Sequence, residues 1–202
     1  VLNIFLAELR DVSIQKDAMR FRRNLERIAE VMAYEISKKL DYSEKIVTTP
    51  LGEAFCVAFV NPPVLATILR AGLPMHQGLL NYFDRSESAF ISAYRKHSTA
   101  EDFEIYVEYI AAPKLDGKTI IISDPMLATG SSMLTVYKAL LKQGNPSRII
   151  IASIIAAAPA LEFLKKHLPA HVEIYVGVID QELTAQSYIV PGLGDAGDLA
   201  YG

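Results

Sequence analysis

Apolar side chains at Ala18, Phe21, Leu25, Ile28, Met32 and Ile36 recur every three or four residues, which lays them on one face of a helix over residues 17–40. Short runs of strand character follow at Cys56–Val60 and Val64–Leu69, then a helical stretch from about Met75 to Tyr82. Phe90–Tyr94 and Glu104–Tyr109 read as strands joined by the polar segment His97–Asp102, and Asp116-Gly117 within Lys114–Lys118 marks a turn. The second half alternates more cleanly. Thr119–Ser123, Arg148–Ala157 and Val172–Ile179 are apolar or β-rich runs, separated by helical segments at Met133–Lys142 and Pro159–His167. Strands apolar on both faces, alternating with helices, predict an α/β fold: a mostly parallel sheet flanked by helices, with an N-terminal helix before it. Without an internal repeat or linker, one domain over residues 1–202 is expected.

Composition narrows the function classes. At 202 residues, 51% hydrophobic content and a net charge of -3, the chain can bury a full core, and its mild acidity argues against a nucleic-acid partner. Arg20, Arg22, Arg23 and Arg27 form one basic cluster, expected to be a solvated helix face. The single Cys56 allows no internal disulfide, and no apolar stretch reaches membrane-spanning length, so a cytoplasmic setting without a membrane partner is expected. Gly192 to Gly197 satisfies G-x-G-x-x-G, but no further strand and acidic residue follow as a dinucleotide site requires. His167 and His171 are separated by a helix-disfavouring Pro169 and lack a metalloprotease glutamate; they, His76 and His97 are expected to be ordinary histidines.

The segment Ile-Ile-Ile-Ser-Asp-Pro-Met-Leu-Ala-Thr-Gly-Ser-Ser-Met, residues 120–133, changes the picture. A buried strand stops on Asp124 and leads through Pro125, Met126, Leu127, Ala128, Thr129, Gly130, Ser131 and Ser132 into a helix expected to begin near Met133-Leu134. In parallel α/β sheets ligands gather at such carboxyl ends, and amides and hydroxyls before a helix start suit a phosphate monoester. Asp124 would repel that phosphate at contact but can accept hydrogen bonds from sugar hydroxyls, so the pair describes a phosphorylated sugar. An ordinary Thr or Ser helix cap is the alternative. Arg70 and Arg95 each follow an apolar strand, where a guanidinium fork can meet phosphate oxygens.

Three motifs in this order resemble the uracil phosphoribosyltransferase family: Ile-Leu-Arg-Ala-Gly-Leu at 68–73, Asp-Pro-Met-Leu-Ala-Thr-Gly at 124–130, and Tyr-Ile-Val-Pro-Gly-Leu-Gly-Asp-Ala-Gly-Asp at 188–198. Leu9-Arg10-Asp11, Phe21-Arg22 and Tyr34-Glu35 are similar to the family's amino-terminal helix, so the likeness spans nearly the whole chain. The resemblance implies a type I phosphoribosyltransferase-like fold with a β-hairpin flap, and transfer of the 5-phosphoribosyl group of 5-phospho-α-D-ribose 1-diphosphate to uracil N1. It implies that Asp124 holds the ribose hydroxyls, Ala128 to Ser132 cradle the 5'-phosphate, and Arg70 and Arg95 contact the diphosphate. Ile189, Gly194 and Ala196 would present backbone groups to uracil, with Asp195 between base and sugar diphosphate. The family also implies Mg2+ carried mainly by the substrate diphosphate, a homo-oligomer (dimer or tetramer), and, in some members, GTP activation. Two positions depart from the family pattern: Ser131 stands where many members have a second glycine, and Leu199 where an arginine is common. A non-catalytic relative that binds phosphoribosyl diphosphate or a nucleotide as a regulatory module is the other hypothesis. Residues 95–108 are expected to form the flap or a plain hairpin.

Overall fold

The computed structural model describes residues 1–97 and 103–202, with side chains outside 94–106. Helix α1 (Leu2–Arg10) and helix α2 (Ala18–Ser37) come first. Asp17 caps α2 by accepting a hydrogen bond from the Arg20 amide at 3.0 Å, and Phe21, Leu25, Ile28, Met32 and Ile36 are buried, as the periodicity predicts. Strands β1 (Tyr42–Thr49) and β2 (Gly52–Phe59) form an antiparallel hairpin of their own. The run at Cys56–Val60 is thus a strand, but it lies outside the main sheet.

The main sheet is built from β3 (Val64–Leu69), β4 (Ser88–His97), β5 (Phe103–Ala111), β6 (Thr119–Ser123), β7 (Met126–Leu127), β8 (Arg148–Ala157) and β9 (Glu173–Asp180). Helix α3 (Leu73–Leu80) follows β3, helix α4 (Ser131–Leu140) follows β7, and helix α5 (Ala158–His167) follows β8. The strands run β5-β4-β3-β6-β8-β9, with β7 pairing on β8 beyond the end of β6. All neighbours are parallel except β4 and β5, an antiparallel hairpin whose pairing extends to His97 opposite Phe103. Ile120, Ile121 and Ile122 and almost all of β8 are buried, as strands covered on both faces must be. The chain ends with a small pair, β10 (Glu182–Leu183) and β11 (Ile189–Val190), and helix α6 (Ala196–Tyr201).

Two expectations shift. Helix α4 begins at Ser131, two residues earlier than the apolar pattern suggests, because Gly130 turns the chain at φ +82°. The arginine cluster is only partly solvated: Arg20 pairs with Glu8, Arg23 with Glu26, Arg22 donates to the Ala200 carbonyl at 2.6 Å, and Arg27 lies over the Phe5 ring. Helix α5 ends at His167 and His171 lies beyond it, so the two share no helical face; the His97 side chain lies outside the described residues. No helix among the described residues is long and apolar enough to cross a membrane.

Candidate active site

The chain leaves β3 toward β4 on one side and later returns to β6 on the other, so the carboxyl ends of β3 and β6 open a crevice at the switch point of the sheet. Thr67 and Ser123 are register partners near those ends, both fully buried, and their hydroxyls meet at 2.9 Å. Thr67 also donates to the Gly72 carbonyl at 3.2 Å. The loop carrying Arg70 and the strand carrying Asp124 are therefore tied to each other inside the core.

Beyond Ser123 the chain changes partners. The Asp124 amide still donates to the Ala152 carbonyl at 3.2 Å, Pro125 has no amide to donate, and Met126–Leu127 resume pairing as β7 opposite Ile155 and Ala156. This break turns the Asp124 carboxylate into the crevice, where its only hydrogen bond among the described residues is a long one, 3.4 Å, from the Met126 amide. Burial raises its pKa to about 7, with the Met126 amide opposing. A carboxylate near neutrality with open acceptor capacity is ready for hydroxyl donors.

Gly130 precedes α4 in the left-handed region, and a Cβ there would lie 3.0 Å from Leu164 Cγ and 3.1 Å from the Ala160 carbonyl oxygen. The loop is thus seated on α5. Gly130 occupies the cap position of α4 and has no side chain to cap it; only the long bond from the Ser131 amide to Thr129 Oγ1, 3.4 Å, resembles the Thr cap. The first amides of α4 have no intrahelical acceptor, and Thr129 and Ser132 line a small cavity at this helix start while Ser131 does not. Thr129 and Ser131 hydroxyls lie 2.7 Å apart. Ser131 is an ordinary helical residue without positive φ, so its side chain does not distort the loop.

One cavity of about 340 Å³ is lined by Arg70, Asp124, Pro125, Met126, Ser132, Asp195 and Ala196, with Ala93 on its wall. An adjoining cavity of about 60 Å³ is lined by Asp124, Met126, Leu127, Ala128, Thr129, Gly130 and Ser132. The sequence-predicted residues thus converge from three distant segments. Ile189 is buried in β11, and Gly194 is exposed at φ +90° beside Asp195; neither lines these two cavities. Arg95 lies in β4 opposite Ile105, and its side chain falls outside the described residues, as do residues 98–102 of the expected flap. Asp195 caps α6 by accepting from the Asp198 amide at 3.0 Å. Leu199 packs partly buried, its Cδ1 3.5 Å from where a Cβ on Gly194 would stand.

Thr67, Asp180 and Gln15 support the site and lie outside the motifs, while Arg10 and Ser123 fall within motif segments that give them no role. Asp180 alone carried a legible signal, a carboxylate directly after a β-rich run, as Asp124 is. A roomier concavity of about 770 Å³ lies between the β1–β2 hairpin and Tyr82 to Arg85; it is mostly apolar and gathers none of the predicted residues.

A family model described as "Uracil phosphoribosyltransferase" matches residues 1–202. A uracil phosphoribosyltransferase of Porphyromonas gingivalis is 59% identical over 202 residues, covering 100% of this chain and 94% of that protein. Among solved structures, the AQ2163 protein from Aquifex aeolicus superposes with a TM-score of 0.89 at 30% identity, over 99% of this chain and 93% of that one. A hypoxanthine-guanine phosphoribosyltransferase from Bacillus anthracis shares the fold alone, with a TM-score of 0.52 at 12% identity over 79% of this chain and 81% of that one.

Proposed function

The chain belongs to the uracil phosphoribosyltransferase family, and we propose on that premise that its crevice transfers the 5-phosphoribosyl group of 5-phospho-α-D-ribose 1-diphosphate to N1 of uracil in pyrimidine salvage. The observation that carries this is the single cavity shared by Arg70, Asp124, Ser132, Asp195 and Ala196. N1 gives up its proton to solvent as it attacks C1', the bond from C1' to the diphosphate oxygen breaks with its electron pair leaving on the diphosphate, and UMP and diphosphate result.

The residues divide the substrates by charge. The α4 amino end with Thr129, Ser131 and Ser132 holds the dianionic 5'-phosphate, which the adjoining small cavity can take. Asp124 accepts from the ribose hydroxyls. Arg70, with Arg95, meets the negative charge that grows on the departing diphosphate. The Asp195 carboxylate favours the positive charge that grows on the sugar, and Ile189, Gly194 and Ala196 offer backbone groups to the uracil edge. Catalysis on these terms needs positioning and fixed charge rather than a covalent nucleophile.

Among the described residues no cluster of three or more His, Cys, Asp or Glu side chains is arranged to hold a metal ion. Asp124 and Asp195 both line the cavity, and two oxygen-donor carboxylates fit a Mg2+ ion that the diphosphate oxygens would mainly carry. When bound, it would neutralise the leaving group.

A homo-oligomer is supported by the β1–β2 hairpin, a two-stranded sheet with Ile46, Leu51, Phe55 and Val57 exposed, Phe55 by 81%. Phe55→Glu should shift sedimentation to a smaller species; an unchanged profile would remove the hairpin from the contact. The lone, exposed Cys56 suits a reducing, cytoplasmic compartment.

Incubation with uracil, the phosphoribosyl donor and Mg2+ should yield UMP. Binding of the donor without UMP would favour a regulatory module. Uracil should also bind better than cytosine, because cytosine's amino group leaves a buried partner unpaired, at about 1–3 kcal/mol; equal binding by calorimetric titration would overturn this.

A further inference from the structure

The segment between β11 and α6 is held from below by a part of the chain that never enters the cavity. Arg10, the last residue of α1, reaches the last residue of β9 with both guanidinium prongs: Nη1 donates to Asp180 Oδ2 at 3.0 Å and Nη2 to Oδ1 at 2.9 Å. The Asp180 side chain is 7% exposed, and Oδ2 also accepts the Gly192 amide at 2.8 Å. One carboxylate oxygen thus receives the guanidinium and the loop amide together.

Gly192 sits at φ +62°, where a Cβ would lie 2.1 Å from the Ile189 carbonyl oxygen, so this turn folds tightly over β11. The next residue is held as well. The Gln15 carboxamide donates to the Leu9 carbonyl at 2.7 Å and to the Leu193 carbonyl at 3.0 Å. An amide on one side and a carbonyl on the other therefore fasten residues 192–193 to the end of α1. Immediately beyond lie Gly194, Asp195 and Ala196, and the last two line the cavity.

A surface ion pair would contribute little, but this one is shielded and carries a backbone amide on the same oxygen. Burial pushes the Asp180 carboxyl up, and the Arg10 fork and the Gly192 amide outweigh it, holding the group below the usual carboxylate range. The clamp is therefore charged throughout the neutral range. Losing the guanidinium would leave a buried charge unpaired, and the cheapest relief is for Asp180 to turn toward water and release Gly192.

We propose that Arg10, Asp180 and Gln15 are positioning residues for base recognition, fixing the height and angle at which the Gly194 to Ala196 backbone meets uracil. The inference rests on the assignment of residues 189–196 to the base. None of the three touches substrate; they act through Gly192 and Leu193. The donor's phosphate, diphosphate and hydroxyls, by contrast, are met by Arg70, Asp124 and the α4 amino end, which this clamp does not hold; Asp195, within the clamped segment, bears on the sugar only as charge grows there, and so on turnover rather than donor KM.

The test is a split between the two substrates. Arg10→Gln should raise KM for uracil about tenfold or more while KM for the phosphoribosyl donor changes less than about twofold. Arg10→Lys, which keeps the charge but not the fork, should recover part of that loss. If Arg10→Gln does not fold, Gln15→Ala serves instead, with a rise in uracil KM of about threefold expected. Parallel changes in both KM values, or loss of turnover with uracil KM unchanged, would overturn the positioning role. Gly194→Ala, placed in the loop but outside the clamp, separates this from the underlying assignment. If that variant leaves uracil KM unchanged, the base site is elsewhere; if it raises uracil KM and the clamp variants do not, only the positioning inference fails.

Discussion

The Thr67 and Ser123 hydroxyls meet at 2.9 Å in the closed interior between β3 and β6, three residues before Arg70 and one before Asp124. A buried hydroxyl deprived of its partner costs about 1–3 kcal/mol, more than the net gain of the bond itself. Thr67→Val is expected to destabilise the fold by about 1–2 kcal/mol in denaturant titrations. Thr67→Val combined with Ser123→Ala should cost less than the sum of the single changes, because the second removes the hydroxyl that the first leaves with only its long 3.3 Å bond to the Ala66 carbonyl. Strict additivity would show that the pair is not coupled.

Gly130 and Ser131 make opposite predictions although they are neighbours. Gly130→Ala forces a side chain into the left-handed region and against Leu164 and the Ala160 carbonyl, at about 1–2 kcal/mol of stability. The phosphate loop would shift with it, so KM for the phosphoribosyl donor should rise. Ser131→Gly alters a residue already in helical conformation and should leave that KM within about threefold. A large effect at Ser131 and none at Gly130 would mean that the loop does not cradle the phosphate through its backbone.

Asp124 should make both stability and donor affinity depend on pH. Its carboxyl pKa is raised by burial from the ordinary value to about 7, so between those values the folded protein keeps a proton that the unfolded chain has lost. Stability attributable to this group therefore falls as pH rises toward about 7, and Asp124→Asn should raise Tm more at pH 8 than at pH 5. Donor affinity should run the other way, rising with pH through about 7 as the acceptor form of Asp124 fills. The donor phosphate titrates nearby, so the contrast with Asp124→Asn is what isolates the carboxylate. A flat Tm difference between wild type and variant would reject the raised pKa.

How much of this was legible depended on whether chemistry and periodicity coincided. Residues 120–132 carry both a buried run and a polar stop, and the crevice is where that pattern puts it. The start of α4 was misplaced by two residues because Ser131 and Ser132 carry no apolar signal, while the feature that starts the helix is the backbone angle of Gly130. Helix α1 does carry a pattern, with Leu2, Phe5, Leu6 and Leu9 at helical spacing, but it spans only nine residues, and β1 alternates too weakly because both faces of its hairpin are open. The Arg10–Asp180 clamp joins residues 170 positions apart, so only the folded chain reveals it.

Asp195 offers the sharpest separation of structure from chemistry. Its Oδ1 caps α6 by accepting from the Asp198 amide, and the residue also lines the cavity shared with Arg70 and Asp124. Asparagine retains an oxygen that can make the cap, and it removes only the charge. Asp195→Asn should therefore leave Tm nearly unchanged while cutting turnover by well over tenfold, about 1.4 kcal/mol or more of transition-state stabilisation. If the carboxylate acts on charge developing at the sugar, the loss should fall on kcat rather than on either KM. A rate near wild type would reduce Asp195 to a helix cap. A lowered Tm with proportionate loss of activity would say the same, because the charge would then matter to the loop and not to the reaction.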